Sequence, residues 1–261
     1  MVKLTRMMKF ISDDNKHKFK SDSVLLIKNL FDKNTCNKTV KWLEENESTI
    51  IKKFKKDKKG LVSEFYNGKE CIKYFEHPLF SCPKLFSNFM SSKIFRYASE
   101  LLDSEVIFQS LEIHSRFPGS ELIPMHQDNA YYGLDNGRAL TFYIPINAQN
   151  ASLGGLSYLA IEQSSEVYEH VPSKSSGFSL EVKNKEDVLK KHQKKLFNFE
   201  PGDCSIHYSN SIHYAKEVPY QAKRCWVVRF SFYSCEASIK NGHNEWYQKM
   251  IDENRGYNEK N

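Results

Sequence analysis

The sequence predicts a mainly β protein with flanking helices (an α+β chain), built as a closed or double-sheet antiparallel architecture. Three observations predict it. From Val106 onward, short strand-like runs are punctuated by Pro118-Gly119, Asn136-Gly137, Gly154-Gly155 and Pro201-Gly202-Asp203. The chain carries 18 Phe and 14 Tyr, residues that suit half-buried pleated surfaces. The two apolar stripes at helical spacing precede Val106, where the texture changes to short strands. Strands are expected near residues 106–116, 138–146, 155–161, 194–200, 204–208, 212–218 and 223–234, and many short strands so spaced suit a closed or two-sheet fold.

The N-terminal elements follow from local pattern. Residues 1–22 are charged and read as an irregular arm. Ser23–Leu30 is a strand candidate. Asp32 can cap a helix that presents Cys36, Val40 and Leu43 on one side. A second helix over Lys84–Leu102 carries Phe86, Met90, Ile94, Tyr97 and Leu101 as an apolar stripe. Residues 32–102 are thus expected as a helical cover on one domain spanning 23–234. Within it, 163–193 is an inserted polar loop with a short helix near Lys185–His192, and 235–261 is a polar tail.

Composition narrows the function classes. The longest apolar runs, such as Val24–Ile27, are far short of the ~20 residues a membrane helix needs. The first residues lack the apolar core of a secretory signal, so a soluble, cytoplasmic protein is expected. Six scattered cysteines without a C-x-x-C pair read as reduced thiols. The net charge of +6, from 38 Lys+Arg against 32 Asp+Glu, is mostly lysine and densest at Lys52–Lys59. That run reads as a solvated face and not a nucleic-acid footprint, which would interleave arginines and aromatics.

The chemistry-bearing pattern begins at His126-Gln127-Asp128. In extended backbone, residues i and i+2 point to the same side, so the imidazole and the carboxylate converge. One more histidine from a neighbouring strand completes a two-His, one-carboxylate triad, which leaves adjacent metal positions open for a cosubstrate and O₂. His207 and His213 compete for that place. His17, His77, His170 and His192 lie in polar surroundings and are expected exposed; His114 precedes the motif, and His243 lies in the tail. His213 is preferred because Arg224 follows eleven residues later. Period two puts Arg224 on a face with Trp226, Val228, Phe230 and Phe232, and Arg229 on the other. The apolar face reads as inward, so Arg224 becomes a buried cation that needs a carboxylate. That carboxylate is a bound dicarboxylate or, alternatively, an Asp or Glu of the protein.

These residues resemble the phytanoyl-CoA dioxygenase family of Fe(II)/2-oxoglutarate oxygenases. The matching stretches are His126-Gln127-Asp128 with Tyr131-Tyr132, Gly154-Gly155-Leu156, Pro201-Gly202-Asp203, and His213 with Arg224. The resemblance spans roughly residues 22–234 and implies a double-stranded β-helix (a cupin-like jelly roll). It also implies Fe(II) on His126, Asp128 and His213, with 2-oxoglutarate and O₂ as cosubstrates and Arg224 on the distal carboxylate. Thr141 and Tyr143 become cosubstrate contacts; Tyr132, Tyr131 and Gln109 become candidate walls for a small-molecule substrate. Succinate and CO₂ are the coproducts expected. Asp128 argues against halogenation, which leaves hydroxylation, desaturation, cyclisation or epimerisation. The non-enzyme alternative is a jelly-roll metal- or ligand-binding protein. Where relatives read P-G-S-H, this chain has Leu159-Ala160-Ile161-Glu162, so the resemblance does not carry a substrate with it.

Overall fold

Leu140, Phe142, Ile144 and Ile146 alternate with Ala139, Thr141 and Tyr143, and that alternation organises the molecule. In the computed structural model, which describes residues 10–55, 60–76, 78–164, 166–175 and 178–258, the first set packs in the main hydrophobic core. The helices cover this set, and the second set lines the space between two sheets.

The chain opens with α1 (Asp13–Asp22), β1 (Val24–Ile27) and the long α2 (Lys33–Phe54). A hairpin follows, β2 (Leu61–Tyr66) and β3 (Lys69–Phe75), then α3 (Pro78–Ser81), α4 (Pro83–Ser87) and α5 (Ser92–Leu102). The barrel strands begin with β4 (Val106–Arg116), β5 (Ile123–Gln127), the short α6 (Asn129–Tyr132), β6 (Ala139–Pro145), β7 (Gln149–Asn150) and β8 (Leu156–Leu159). After β9 (His170–Ser175), β10 (Phe178–Val182) and α7 (Lys185–Lys191) come β11 (Lys194–Leu196), β12 (Asn198–Phe199), β13 (Cys204–Tyr208), β14 (Ile212–Ala215), β15 (Cys225–Ser234) and α8 (His243–Asn258).

The larger sheet has the order β1-β13-β6-β15-β4-β3-β2, and the smaller β11-β8-β14-β5. All the pairings are antiparallel. This is the jelly-roll arrangement, one sheet facing the other, with helices against the outer face of the larger sheet. No helix among the described residues is long and apolar enough to cross a membrane. All six cysteines are free thiols.

Several expectations are corrected here. The arm is helical from Asp13, because Ser12 caps the Asn15 amide at 3.2 Å. Residues 61–75 are a hairpin and not helical cover; its signal is Asn67-Gly68, both with positive φ (50° and 75°), which suits a two-residue turn. The helix over 84–102 divides at Asn88–Ser91. The tail forms α8. Residues 163–193 hold the short helix expected there, α7, and in addition the β9–β10 hairpin, where a loop was expected. Of the basic run, Lys52, Lys53 and Lys55 are exposed and 56–59 lie outside the described residues, as does His77.

The Pro201-Gly202-Asp203 turn is a structural lock. The Asp203 carboxylate accepts from the backbone N–H of Asn29 (3.0 Å) and Glu200 (2.8 Å) and from Lys28 Nζ (2.6 Å). Gly202 sits at φ 92°, and a Cβ there would lie 2.1 Å from the Phe31 carbonyl oxygen. Gly202→Ala should therefore cost more than the roughly 1–3 kcal/mol of left-handed strain alone. Gly68→Ala, where an added Cβ meets nothing within 4 Å, should cost the strain only. Urea denaturation of the two variants checks the ordering.

Candidate metal centre

The pairing of β14 with β5 sets His213 directly across from His126. Asp128 follows at the entry to α6, and the carboxylate turns back towards both rings. One ligand atom from each of His126, Asp128 and His213 lies within 4.8 Å of the others, and all three residues are buried (5%, 5% and 4% exposed). The His126 Nδ1–H donates to the Pro124 carbonyl at 2.8 Å, and the His213 Nδ1–H donates to the Ser211 carbonyl at 3.1 Å. A carbonyl only accepts, so each Nε2 is left with a free lone pair. These two atoms stand 3.8 and 3.7 Å from Asp128 Oδ1, too far for hydrogen bonds but suited to sharing an ion. Burial pushes the His126 pKa down to about 3 and that of His213 to about 4, each lowered further by a neighbouring histidine. Both imidazoles are neutral at pH 7, as metal ligation requires.

His207 is buried beside them but is differently used. Its Nε2–H donates to Asp128 Oδ2 (3.3 Å), and its Nδ1 faces the Tyr158 hydroxyl (3.3 Å). A ring that spends its Nε2 proton on the carboxylate supports the site without offering a lone pair to it.

The other Asp128 oxygen is crowded with donors. Oδ2 accepts from Thr141 Oγ1 (2.6 Å), His207 Nε2 and Arg229 Nη2 (3.3 Å). Burial opposes ionisation of Asp128, but the Arg229 charge and the His207 bond outweigh it and hold the carboxyl well below its usual range. Arg229 also donates to Glu112 (2.8 Å) and to the Tyr132 hydroxyl (2.6 Å). Burial would raise the pKa of Glu112, but Arg229 and His114 hold it at about 2. Thus Oδ2 is saturated and Oδ1 is presented.

Arg224 is corrected. It lies on the outer face of β15, over Phe117 and Trp226 (4.2 and 3.7 Å to the ring centroids), and pairs with Glu47 of α2 at 2.6 Å. The protein carboxylate considered as its alternative partner is the one found. The reason is that the more apolar face of β15 meets the helices, not the barrel interior. Arg229, read as facing away from the site, faces it. Gln109 is also corrected: it is exposed, the extra residue where the β4–β15 register slips. Tyr132 is held by Arg229 and Ser231, whereas Tyr131 and Phe178 flank the His126 ring at 5.6 and 5.8 Å. Tyr143 donates to Gln149 Oε1 at 2.7 Å. His170, expected exposed, is 5% exposed, and its Nε2 accepts the Gln127 N–H at 3.2 Å. His17 is exposed, and His192 is half-buried against the Tyr168 hydroxyl.

The sequence reading missed Arg229, Glu112 and a further arginine, Arg116. The guanidinium of Arg116 donates from Nη1 to the Gly154 carbonyl and from Nη2 to the carbonyls of Glu121 and Lys216. The signal for Arg229 was available: Tyr143 pairs with Arg229, and Thr141 with Ser231, so they share a face.

A jelly roll carrying a buried cluster of two histidines and one carboxylate has the donor set that suits a non-haem iron site. The sequence matches the family profile described as phytanoyl-CoA dioxygenase over residues 19–222. The chain belongs to this family of Fe(II)/2-oxoglutarate-dependent oxygenases. The match ends two residues before Arg224. A search of curated proteins by sequence finds no match. Among solved structures, EctD from S. alaskensis is 14% identical with a TM-score of 0.70, covering 88% of this chain and 79% of that one. The non-heme alpha ketoglutarate dependent carbocyclase SnoK from nogalamycin biosynthesis is 15% identical, TM-score 0.67, over 88% and 87%. EvdO2 from Micromonospora carbonacea var. aurantiaca, complexed with 2-oxoglutarate, is 16% identical, TM-score 0.64, over 88% and 94%. At these identities the likeness establishes the fold.

Two outcomes are expected. Arg229→Met should weaken Fe(II) binding about 10- to 100-fold, the usual loss when a group that orients a metal ligand is removed, as read by chelator competition. Glu112, lowered from 4.5 to about 2, adds stability that is complete above about pH 4.5 and lost as pH falls through 2. Acid denaturation of Glu112→Gln should be shallower over that window.

Proposed function

We propose that the protein is an Fe(II)/2-oxoglutarate-dependent hydroxylase of a small-molecule metabolite, with iron held by His126 Nε2, His213 Nε2 and Asp128 Oδ1. The observation that carries this reading is the convergence of those three atoms with their other polar atoms already committed. Two imidazoles and one carboxylate are the donor set suited to an Fe(II) site with open positions. When bound, iron and 2-oxoglutarate supply O₂ activation, with succinate and CO₂ released.

The chain's own residues provide geometry and a dry environment. Thr141, His207 and Arg229 keep Asp128 ionised and turned so that one oxygen faces the ion. Tyr131 and Phe178 wall the His126 side, where a substrate C–H bond would approach with bulk water excluded. Arg229 is fully engaged by Glu112 and Asp128, leaving no free cation there for a phosphate backbone. Desaturation, cyclisation and epimerisation remain the alternative outcomes of the same oxidant. They are favoured to the extent that the carbocyclase SnoK and the epimerase SnoN share the fold. An intact Asp128 argues against halogenation, and a complete ligand set against a non-catalytic binding protein.

Under anaerobic conditions, Fe(II) with 2-oxoglutarate should give a weak visible charge-transfer band, and Asp128→Ala should give none. With O₂ and substrate, hydroxylation predicts one succinate per product carrying one added oxygen atom. Absence of both the band and a 2-oxoglutarate-dependent thermal shift in the wild type would refute the reading.

A further inference from the structure

Three arginines lie on the β4–β15 pair or at its ends, and two of them have protein carboxylates: Arg224 has Glu47, and Arg229 has Glu112 and Asp128. Arg116 is 8% exposed, and among the described residues no carboxylate lies within ion-pair distance of it; the Glu64 carboxylate acts on it from further away and is itself paired with Lys73 at 3.0 Å. Its bonds are to three backbone carbonyls, of Gly154, Glu121 and Lys216. Carbonyl dipoles orient a guanidinium but do not neutralise it, and a buried unpaired charge costs several kcal/mol.

The position of Arg116 is informative. Glu112, His114 and Arg116 share one face of β4, and Glu112 is bonded to Arg229 beside the metal centre. Arg116 pairs across with Cys225 at the start of β15, so it marks the opposite end of the same barrel interior. Its Nη2 reaches the Lys216 carbonyl, three residues past the ligand His213. Between the two ends, Leu156, Ala215 and Val227 belong to one apolar cluster with Tyr143. Thr141 touches Asp128, and Tyr143, two residues and about 7 Å further along β6, reaches Gln149.

Gln149 supplies the second, independent observation. It is 4% exposed, its Oε1 accepts from Tyr143, and its Nε2 has no partner. Gly154-Gly155 brings the two groups together: a Cβ on Gly154 would lie 3.1 Å from Arg116 Nη1, and one on Gly155 3.2 Å from Gln149 Cγ. A guanidinium without an ion-pair partner and a buried amide donor without a partner, set off from the metal cluster by apolar side chains, suit a carboxylate on a short aliphatic chain.

Building on the proposed 2-oxoglutarate chemistry, we infer that Arg116 and Gln149 receive the distal carboxylate of the cosubstrate, and that Arg224 does not. Arg116 closes the far end of the barrel, and the incoming carboxylate supplies the direct ion pair that Glu64, acting from beyond ion-pair distance, does not. Arg224 fastens α2 to the sheet.

The test is anaerobic calorimetric titration of the full chain loaded with Mn(II), which prevents turnover. Two ligands are compared: 2-oxoglutarate, and 2-oxopentanoate, which carries a methyl group in place of the distal carboxylate. Wild type should prefer 2-oxoglutarate by about 10- to 100-fold, the worth of charged hydrogen bonds. Arg116→Gln should bring 2-oxoglutarate down to the level of 2-oxopentanoate while leaving 2-oxopentanoate unchanged. Gln149→Leu should lose part of the preference in the same way. Arg224→Gln should lower the melting temperature but keep the preference. The inference is overturned if Arg224→Gln abolishes the preference, if Arg116→Gln retains it, or if Arg116→Gln weakens both ligands equally. Should Arg116→Gln fail to fold, Gln149→Leu and Arg224→Gln decide the matter by the same criterion. A wild type that binds neither ligand defeats the 2-oxoglutarate reading itself, and this inference with it.

Discussion

Burying the Asp128 carboxylate is the constraint on which the rest of the site depends. A lone carboxylate in a barrel interior would take up a proton sooner than remain charged. Here Arg229, Thr141 and His207 converge on one of its oxygens. That convergence keeps the charge, fixes the rotamer and leaves the second oxygen aimed at His126 and His213. Each donor comes from a different strand of the larger sheet, β15, β6 and β13, while the histidines come from the smaller sheet. The cluster therefore exists only when the two sheets face each other in this register, which ties the proposed metal site to the fold as a whole.

The arginines show the same accounting of charge. Buried guanidinium groups are held by partners, and the partner reveals the role. Glu47 makes Arg224 a strut between α2 and the sheet. Glu112 makes Arg229 a fixed positive wall beside Asp128. Arg116 is hydrogen-bonded to carbonyls alone, with the Glu64 carboxylate acting on it only from beyond ion-pair distance, and this is why we propose it for the carboxylate of the cosubstrate. A family-like spacing such as His213 to Arg224 is a weaker guide than the identity of the group that neutralises the charge.

The convergence of His126 and Asp128 was legible in the sequence because they are close in the chain and the strand period of two is rigid. The jelly roll was legible from turn spacing and from the motif resemblance, and β6 from its clean division into packing and polar faces. Period two also separated Arg224 from Arg229 correctly. What it could not supply was which face is inside. In β15 Trp226, Val228, Phe230 and Phe232 make one face the more apolar, but apolarity does not say whether a face meets the helices or the barrel interior, and here the helices cover it. Pairing resolves it: Phe230 lies opposite Phe142, and Arg229 opposite Tyr143, and the β6 face was already read. Gln109 failed for a different reason, a register slip in β4 with no sequence signature. The α8 helix and the β9–β10 hairpin were obscured by polar composition, though Tyr247 and Phe178 bring aromatic rings up to Tyr131 and His126.

The most direct test of the metal assignment is anomalous diffraction at the iron edge from crystals grown anaerobically with Fe(II) and 2-oxoglutarate. The account predicts a single ion bonded to His126 Nε2, His213 Nε2 and Asp128 Oδ1, with His207 still donating to Asp128 Oδ2. An ion bonded to His207 in place of His213, or an ion lying away from Asp128, would contradict it.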